Sequence, residues 1–131
     1  MAELNAITLR TTDMAAAIEF YELIGCTTVY GGPDTDFATM AIDDFVPGSA
    51  TNFINLTVER AELGPPSFWG RYIIFVDDPD AHYDRLVAAG RTPMMAPSNA
   101  MWGERYFHIL DPDGHEVSLA RRFHEGERPD R

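Results

Sequence analysis

The chain has 131 residues and a formal net charge of -11, with 21 acidic residues against 10 basic ones. This length suits one globular domain, and a composition that is 45% apolar provides enough surface for a core. Because every basic residue is arginine, chemistry that needs a lysine Schiff base or a phosphate-loop lysine is excluded, and the acidic balance predicts no nucleic-acid or anionic-membrane partner.

Cysteine content and the N-terminal sequence indicate the cellular compartment. The lone Cys26 cannot form an internal disulfide, which favours a reducing environment. The first residues lack the basic stretch and apolar run of a signal peptide, and no segment approaches the ~18 apolar residues of a membrane span. We therefore expect a cytoplasmic protein.

The first half of the chain predicts one strand, one helix and three further strands. Alternating apolar residues predict the first strand over residues 4–10. Asp13 is a suitable N-cap, and Gly25 stands where a left-handed C-cap would end the helix. Alternation and turn residues then predict strands over residues 27–30, 37–42 and 51–58.

The second half repeats this order after a Gly- and Pro-rich linker at residues 59–68. A strand is predicted over residues 71–76, followed by a helix that Asp78 or Asp80 opens and Gly90 closes. The remaining strands are predicted around residues 93–96, over 102–109 and over 115–121.

The two helices lie at a constant offset, which indicates an internal repeat. Placing Asp13 on Asp78 also places Gly25 on Gly90, an offset of 65 residues at both helix ends. The fold class is therefore α+β, with two βαβββ repeats forming a curved mixed sheet, helices on the outer side and a concave pocket. The predicted single domain covers residues 1–121, with repeats at 4–58 and 69–121. Residues 122–131 are polar, and we expect this tail to be loose.

Three sets of residues resemble the vicinal oxygen chelate superfamily, which contains glyoxalase I, extradiol dioxygenases, fosfomycin-resistance enzymes and bleomycin-resistance proteins. They are the helix from Asp13 to Gly25 with its Phe20-Tyr21 pair, the Val76-Asp77-Asp78 strand end, and Trp102-Gly103 followed by Asp111-Pro112-Asp113-Gly114. The resemblance covers residues 4–121. It implies a homodimer with ligand grooves at the subunit interface.

The resemblance also implies where a metal would bind. Enzymes of this superfamily hold a divalent metal through His and Glu side chains on the first and last strands of each repeat. Here the matching positions carry Ala6, Arg71 and Ser118, while Phe53 and Asn55 are the inward-facing residues of the fourth strand. None is a strong metal ligand, and an arginine repels a divalent cation. We therefore predict no metal and no other cofactor at these positions.

Arg71 has two interpretations. It lies on the face of its strand that carries Ile73 and Phe75, away from the helix. There its guanidinium could orient a carboxylate, enolate or carbonyl oxygen of a ligand. Alternatively, it forms a structural ion pair with Glu116 or Glu104.

Aromatic residues around this position suit stacking on a planar ligand; for any single one packing within a core or dimer is the favoured interpretation, whereas the set favours an apolar pocket. They are Phe53, Trp69, Phe75, Trp102 and Tyr106. Together with Arg71, Asn55 and Ser118 they form the predicted ligand-binding set. His108 and Glu116 are candidate proton-transfer residues, whereas His115, directly after the turn glycine, is expected to hold the hairpin.

These residues favour a metal-free protein that binds a small neutral or cationic organic molecule, such as an antibiotic or an aromatic metabolite. One alternative is a metal-dependent lyase, isomerase or dioxygenase with a non-standard site built from His108, Glu104 or Glu116. A second is a metal-free enzyme in which Arg71 stabilises an enolate and His108 or Glu116 moves the proton. Whether the protein is an enzyme stays open at this stage.

Overall fold

The computed structural model describes residues 4–42, 52–58 and 69–130. The chain divides into two compact units, Met1–Ser67 and Phe68–Arg131. Each unit contains one helix and one four-stranded mixed sheet, so the two predicted βαβββ repeats are confirmed. The predicted linker at residues 59–68 lies outside the described residues. In the described ranges, no helix is long and apolar enough to cross a membrane.

The first unit follows the order β1 (Ala6–Thr11), α1 (Met14–Leu23), β2 (Thr27–Tyr30), β3 (Phe37–Ala41) and β4 (Phe53–Val58). Its sheet has the strand order β1-β4-β3-β2. The β1–β4 pair is parallel, and the other two pairs are antiparallel. Alternate residues of the strands are buried, which is typical of a sheet with one face on a core.

The second unit contains β5 (Arg71–Phe75), α2 (Pro79–Ala88), β6 (Ser98–Asn99), β7 (Glu104–Leu110) and β8 (Glu116–Arg122). Its strand order is β5-β8-β7-β6, again with one parallel pair, β5–β8, beside antiparallel pairs. The sheet therefore repeats the topology of the first unit.

The two helices begin as their sequences predict. The Asp13 carboxylate accepts from the Ala16 backbone N–H at 3.1 Å, and the Asp78 carboxylate accepts from that of Ala81 at 3.2 Å. Of the two residues considered for the second helix, Asp78 is the cap and Asp80 lies in the first turn. Each side chain satisfies one of the N–H groups that a helix start leaves unpaired.

The strand predicted around residues 93–96 is wrong. The structure places β6 at Ser98–Asn99, where Ser98 is opposite Tyr106 on β7. Pro93 and Pro97 flank the predicted segment, and proline has no backbone N–H for a strand ladder. Between the prolines, the Met94 N–H still donates to the His108 carbonyl of β7 at 2.9 Å, but the paired residues of the ladder are Ser98 and Asn99.

The prediction of a loose tail is also wrong. The Asn99 backbone N–H donates to Asp130 Oδ2 at 2.8 Å, and the Asp130 N–H donates to the Asn99 carbonyl at 2.8 Å. Earlier in the tail, a hydrogen bond from Arg121 lowers the pKa of Glu127 to about 2. The tail thus pairs with β6, an edge strand whose backbone groups would otherwise face water.

In the turn between β2 and β3, substitution of two adjacent glycines by alanine should have very different effects on stability. Gly31 has φ +73°, and an added Cβ would clash with the backbone oxygen of Phe37, whereas a Cβ on Gly32 meets nothing within 4 Å. We expect Gly31→Ala to lower the free energy of unfolding by about 1–3 kcal/mol and Gly32→Ala to change it by less than about 0.5 kcal/mol. Urea unfolding of both variants checks this, and equal effects would contradict it.

Candidate functional site

The sheet of the second unit has one face that packs on α2. On this side the Tyr83 ring lies 5.5 Å from that of Phe107, and Arg105 Nη2 donates to Asp80 Oδ2 at 2.8 Å. Side chains alternate along a strand, so the intervening residues face the other way. We call that second side the open face, although its central residues on β8, Glu116, Ser118 and Ala120, are buried. It comprises Arg71, Ile73 and Phe75 on β5; Glu104, Tyr106, His108 and Leu110 on β7; and Glu116, Ser118, Ala120 and Arg122 on β8.

The strand register brings most of the predicted site residues into adjacent rows of the open face. In one row Arg71 is opposite Glu116, and in the next row Ser118 is opposite His108. A further row contains Phe75 on β5 and Tyr106 on β7, each opposite Ala120. Residues from three strands are therefore neighbours, although up to 49 positions separate them in sequence.

Arg71 forms an ion pair across the first of these rows. Its Nε donates to Glu116 Oε2. The Glu116 side chain is only 7% exposed, whereas that of Arg71 is 40% exposed. The structural ion pair considered from the sequence is thus present, with Glu116 as the partner. A buried carboxylate needs such a partner, because an unpaired charge is costly away from water.

His108 is held in its neutral form. Burial, followed by the positive charge of Arg71, lowers the pKa of this imidazole, and Glu116 only partly offsets the shift. Its Nδ1 is buried and has no hydrogen-bond partner among the described residues. Protonation would place a second N–H and a positive charge beside Arg71, so the histidine stays uncharged near neutral pH.

Aromatic side chains cover the adjoining part of the open face. Trp102 Nε1 donates to Glu104 Oε1 at 3.1 Å, and its ring lies 5.3 Å from that of Tyr106. The guanidinium carbon of Arg122 lies 5.3 Å from the centre of the Phe75 ring. Trp102 is 64% exposed and Phe75 is 50% exposed. Apolar surface of this kind is typical of a contact or ligand site.

Trp69 contacts the turn that precedes β8. Its Nε1 donates to His115 Nδ1 at 2.8 Å. The backbone N–H of His115 in turn donates to Asp111 Oδ1 at 2.9 Å, and its carbonyl accepts from the Asp111 N–H at 2.8 Å. The backbone of His115 therefore closes the hairpin, while its imidazole accepts from Trp69. The structure links Trp69 to this turn, a contact that no motif in the sequence signalled.

In the first unit, a polar row occupies the face away from α1. Thr39 Oγ1 donates to Asn55 Oδ1 at 2.7 Å, and Asn55 Nδ2 donates to Thr8 Oγ1 at 3.3 Å. Phe53, the other predicted residue of β4, is opposite Ala6. Asn55 is among the residues predicted from the sequence, whereas the two threonines are not, although both alternate with apolar residues along β1 and β3.

The three positions where the superfamily's enzymes hold metal ligands do not fit a divalent cation. Ala6 has no donor atom, Arg71 is positively charged and paired with Glu116, and Ser118 Oγ donates to the Phe107 carbonyl at 3.4 Å. Within residues 4–42, 52–58 and 69–130, no three His, Cys, Asp or Glu side chains are grouped to hold a metal. The non-standard site considered from His108, Glu104 and Glu116 is therefore not supported.

Comparison with known proteins decides the family. The model for the Glyoxalase/Bleomycin resistance protein/Dioxygenase superfamily matches residues 3–119. The chain belongs to this superfamily. An uncharacterized protein of Mycobacterium bovis is 31% identical over 125 residues, which cover 86% of this chain and 79% of the relative.

Solved structures of superfamily members share the fold. A bleomycin-binding protein complexed with bleomycin is 20% identical, with a TM-score of 0.68 over 94% of this chain and 100% of the other. A bleomycin resistance determinant encoded on the transposon Tn5 is also 20% identical, with a TM-score of 0.70 over 92% of this chain and 98% of the other. The resemblance stated from the sequence is thus confirmed.

Because Glu116 is more buried than Arg71, removing either partner of this ion pair should lower stability by a different amount. Arg71→Met leaves a buried carboxylate unpaired, and we expect it to lower the free energy of unfolding by about 1–3 kcal/mol, allowing for the partial exposure of the arginine. Glu116→Met should cost less, because water can solvate the remaining arginine. The double variant should return to within about 1 kcal/mol of the unaltered protein. Urea unfolding measures all four, and a double variant no more stable than Arg71→Met would contradict the expectation.

His108 predicts a pH dependence of stability. Because its pKa is lowered in the folded protein, the unfolded chain takes up this proton first as the pH falls below about 6.5, and stability decreases towards the folded pKa. We expect His108→Gln to flatten the unfolding free energy between pH 7.5 and 5.5. The control is His124→Gln, because the His124 side chain is 71% exposed and lies 3.6 Å from Glu127 Oε1; losing this pair removes a contact that favours the protonated imidazole, so it should not flatten the profile. An unchanged pH profile in His108→Gln would refute this assignment.

Proposed function

We propose that the protein binds a small planar organic molecule on the open face and does so without a metal. The observation that carries the proposal is the Arg71–Glu116 ion pair. It occupies a position where enzymes of the superfamily hold a metal ligand, and exposed aromatic residues adjoin it. The site residues are therefore suited to holding a ring and orienting it by hydrogen bonds rather than to coordinating a cation.

The composition of the open face supports binding of a ring. Phe75 and Trp102 are at least half exposed, so they can stack on a ligand at little cost in side-chain entropy. Arg71 engages Glu116 through Nε, and a guanidinium has further N–H donors at its two terminal nitrogens. A ligand carbonyl or ring acceptor can accept hydrogen bonds from these groups while its ring packs on the aromatic side chains.

Binding accounts for the arrangement better than proton transfer does. A general base must come within hydrogen-bond distance of the proton that it removes. The Glu116 carboxylate is paired with Arg71, and the His108 Nδ1 is buried. We therefore favour a binding protein over the metal-free enzyme considered from the sequence.

The likeness to a bleomycin-binding protein supports sequestration of an organic compound as the biological role. Bleomycin is the ligand of that other protein. At 20% identity, the likeness suggests only the kind of function for this chain, namely binding of an organic compound. We include a homodimeric state and a cytoplasmic location in the proposal, on the basis of the family resemblance and the single cysteine.

Calorimetric titration tests the proposal with two probes, bleomycin and the planar lactam 2-quinolone. We expect saturable binding of at least one probe, weakened about 3- to 10-fold by Phe75→Ala, because a stacked aromatic pair contributes about 0.5–1.5 kcal/mol. Val87→Ala is the matched control, since Val87 is an exposed apolar residue on α2. Absence of saturable binding, or equal weakening by Val87→Ala, would count against the proposal.

A further inference from the structure

The charges on the open face cancel. Its described strands carry two arginines, Arg71 and Arg122, and two glutamates, Glu104 and Glu116. Arg71 is paired with Glu116. Glu104 is opposite Arg122 in the register of β7 and β8, but the Glu104 carboxylate accepts from Trp102 and the Arg122 guanidinium lies over the Phe75 ring. The whole chain has a formal net charge of -11, whereas the formal charges on this face sum to zero.

The histidine of the face does not alter this balance. Burial and the neighbouring Arg71 disfavour protonation of His108, and its Nδ1 has no acceptor among the described residues. Near neutral pH the imidazole therefore contributes no charge. Acidic residues elsewhere, such as Asp84 on α2, act on a ligand through water and salt, which screen charges beyond about 8 Å at physiological ionic strength.

A ligand on this face would therefore meet aromatic rings and hydrogen-bond donors in a locally neutral environment. The donors belong to Arg71, whose side chain is 40% exposed. Beside Arg71 a cationic ligand would lose hydration without gaining an unpaired carboxylate, because Glu116 is already committed to the arginine, and the Phe75 ring already carries the Arg122 guanidinium. The acidic balance of the chain thus does not predict the charge of its ligand.

We propose that the open face selects uncharged planar ligands that present a ring carbonyl or similar acceptor to Arg71, in preference to cations of the same shape. This inference rests on the proposed function and narrows its ligand class from neutral or cationic to neutral.

Three probes of one ring size separate the charge states: 2-quinolone is neutral, N-methylquinolinium is a cation, and quinoline-2-carboxylate is an anion. In calorimetric titrations at pH 7.5, we expect 2-quinolone to bind at least about 5-fold more tightly than either ion, which is the effect of one uncompensated charge near a surface. Its affinity should change less than about 2-fold between 0.05 and 0.5 M NaCl, because no net charge is screened.

Removing one charge from the open face should change which charged probe binds more tightly, and the sign of the removed charge decides which. Arg71→Gln leaves Glu116 uncompensated and should strengthen N-methylquinolinium binding by about 5- to 10-fold, whereas Glu116→Gln should do the same for quinoline-2-carboxylate. Arg71→Lys keeps the charge and should keep the preference for 2-quinolone. The matched controls on α2 are Arg85→Gln and Asp84→Asn, which change the charge of the chain by the same amounts and should leave the preference unchanged.

The outcomes distinguish the two proposals. If no quinoline probe and no bleomycin binds, the proposed function fails. If bleomycin binds but 2-quinolone does not, or if N-methylquinolinium binds the unaltered protein as tightly as 2-quinolone, the inference fails while the proposed function stands. Circular dichroism establishes that each variant is folded. Should Arg71→Gln unfold, Glu116→Gln, which removes the buried charge, still decides the matter, and an unaltered preference in it overturns the inference.

Discussion

The ion pair between Arg71 and Glu116 is the interaction on which the open face depends. Glu116 lies on a buried stretch of β8, where an unpaired carboxylate would be strongly unfavourable. Its pairing with Arg71 allows β5 and β8 to meet in register with both charges retained. The same arginine does not fit a metal site, balances the local charge and helps to hold His108 neutral. One contact between two strands thus determines which chemistry this face can support.

The two repeats show how one backbone pattern supports different surfaces. Arg71 and Glu116 in the second unit occupy the register positions that Ala6 and Phe53 occupy in the first. Both units have the same strand order and aspartate-capped helices. What differs is the set of side chains on the face away from the helix, which is polar around Asn55 and aromatic and charge-paired in the second unit. Function resides in these side chains, because the fold alone accommodates many activities.

The errors in the sequence predictions have physical causes. The strand expected near residues 93–96 forms instead at Ser98–Asn99, because Pro93 and Pro97 cannot donate to a ladder and the segment between them contacts β7 through the Met94–His108 backbone hydrogen bond. The tail looked loose because its residues are polar, yet Asp130 pairs with Asn99 at the edge of the sheet. Composition does not show whether a polar segment will find unpaired backbone groups to bind.

The sequence by itself determined the order of elements, the helix starts at Asp13 and Asp78, and the alternation that places Arg71 on the face away from α2. These features follow from rules that act over a few residues, namely capping and strand periodicity. Only the tertiary structure decided that Arg71 pairs with Glu116 rather than Glu104, and that two arginines and two glutamates share one face, whose formal charges sum to zero. Glu116 is 45 positions from Arg71, and the contact depends on the register of β5 against β8. A shift of one residue would move the side chain to the other face, and no local pattern specifies that register.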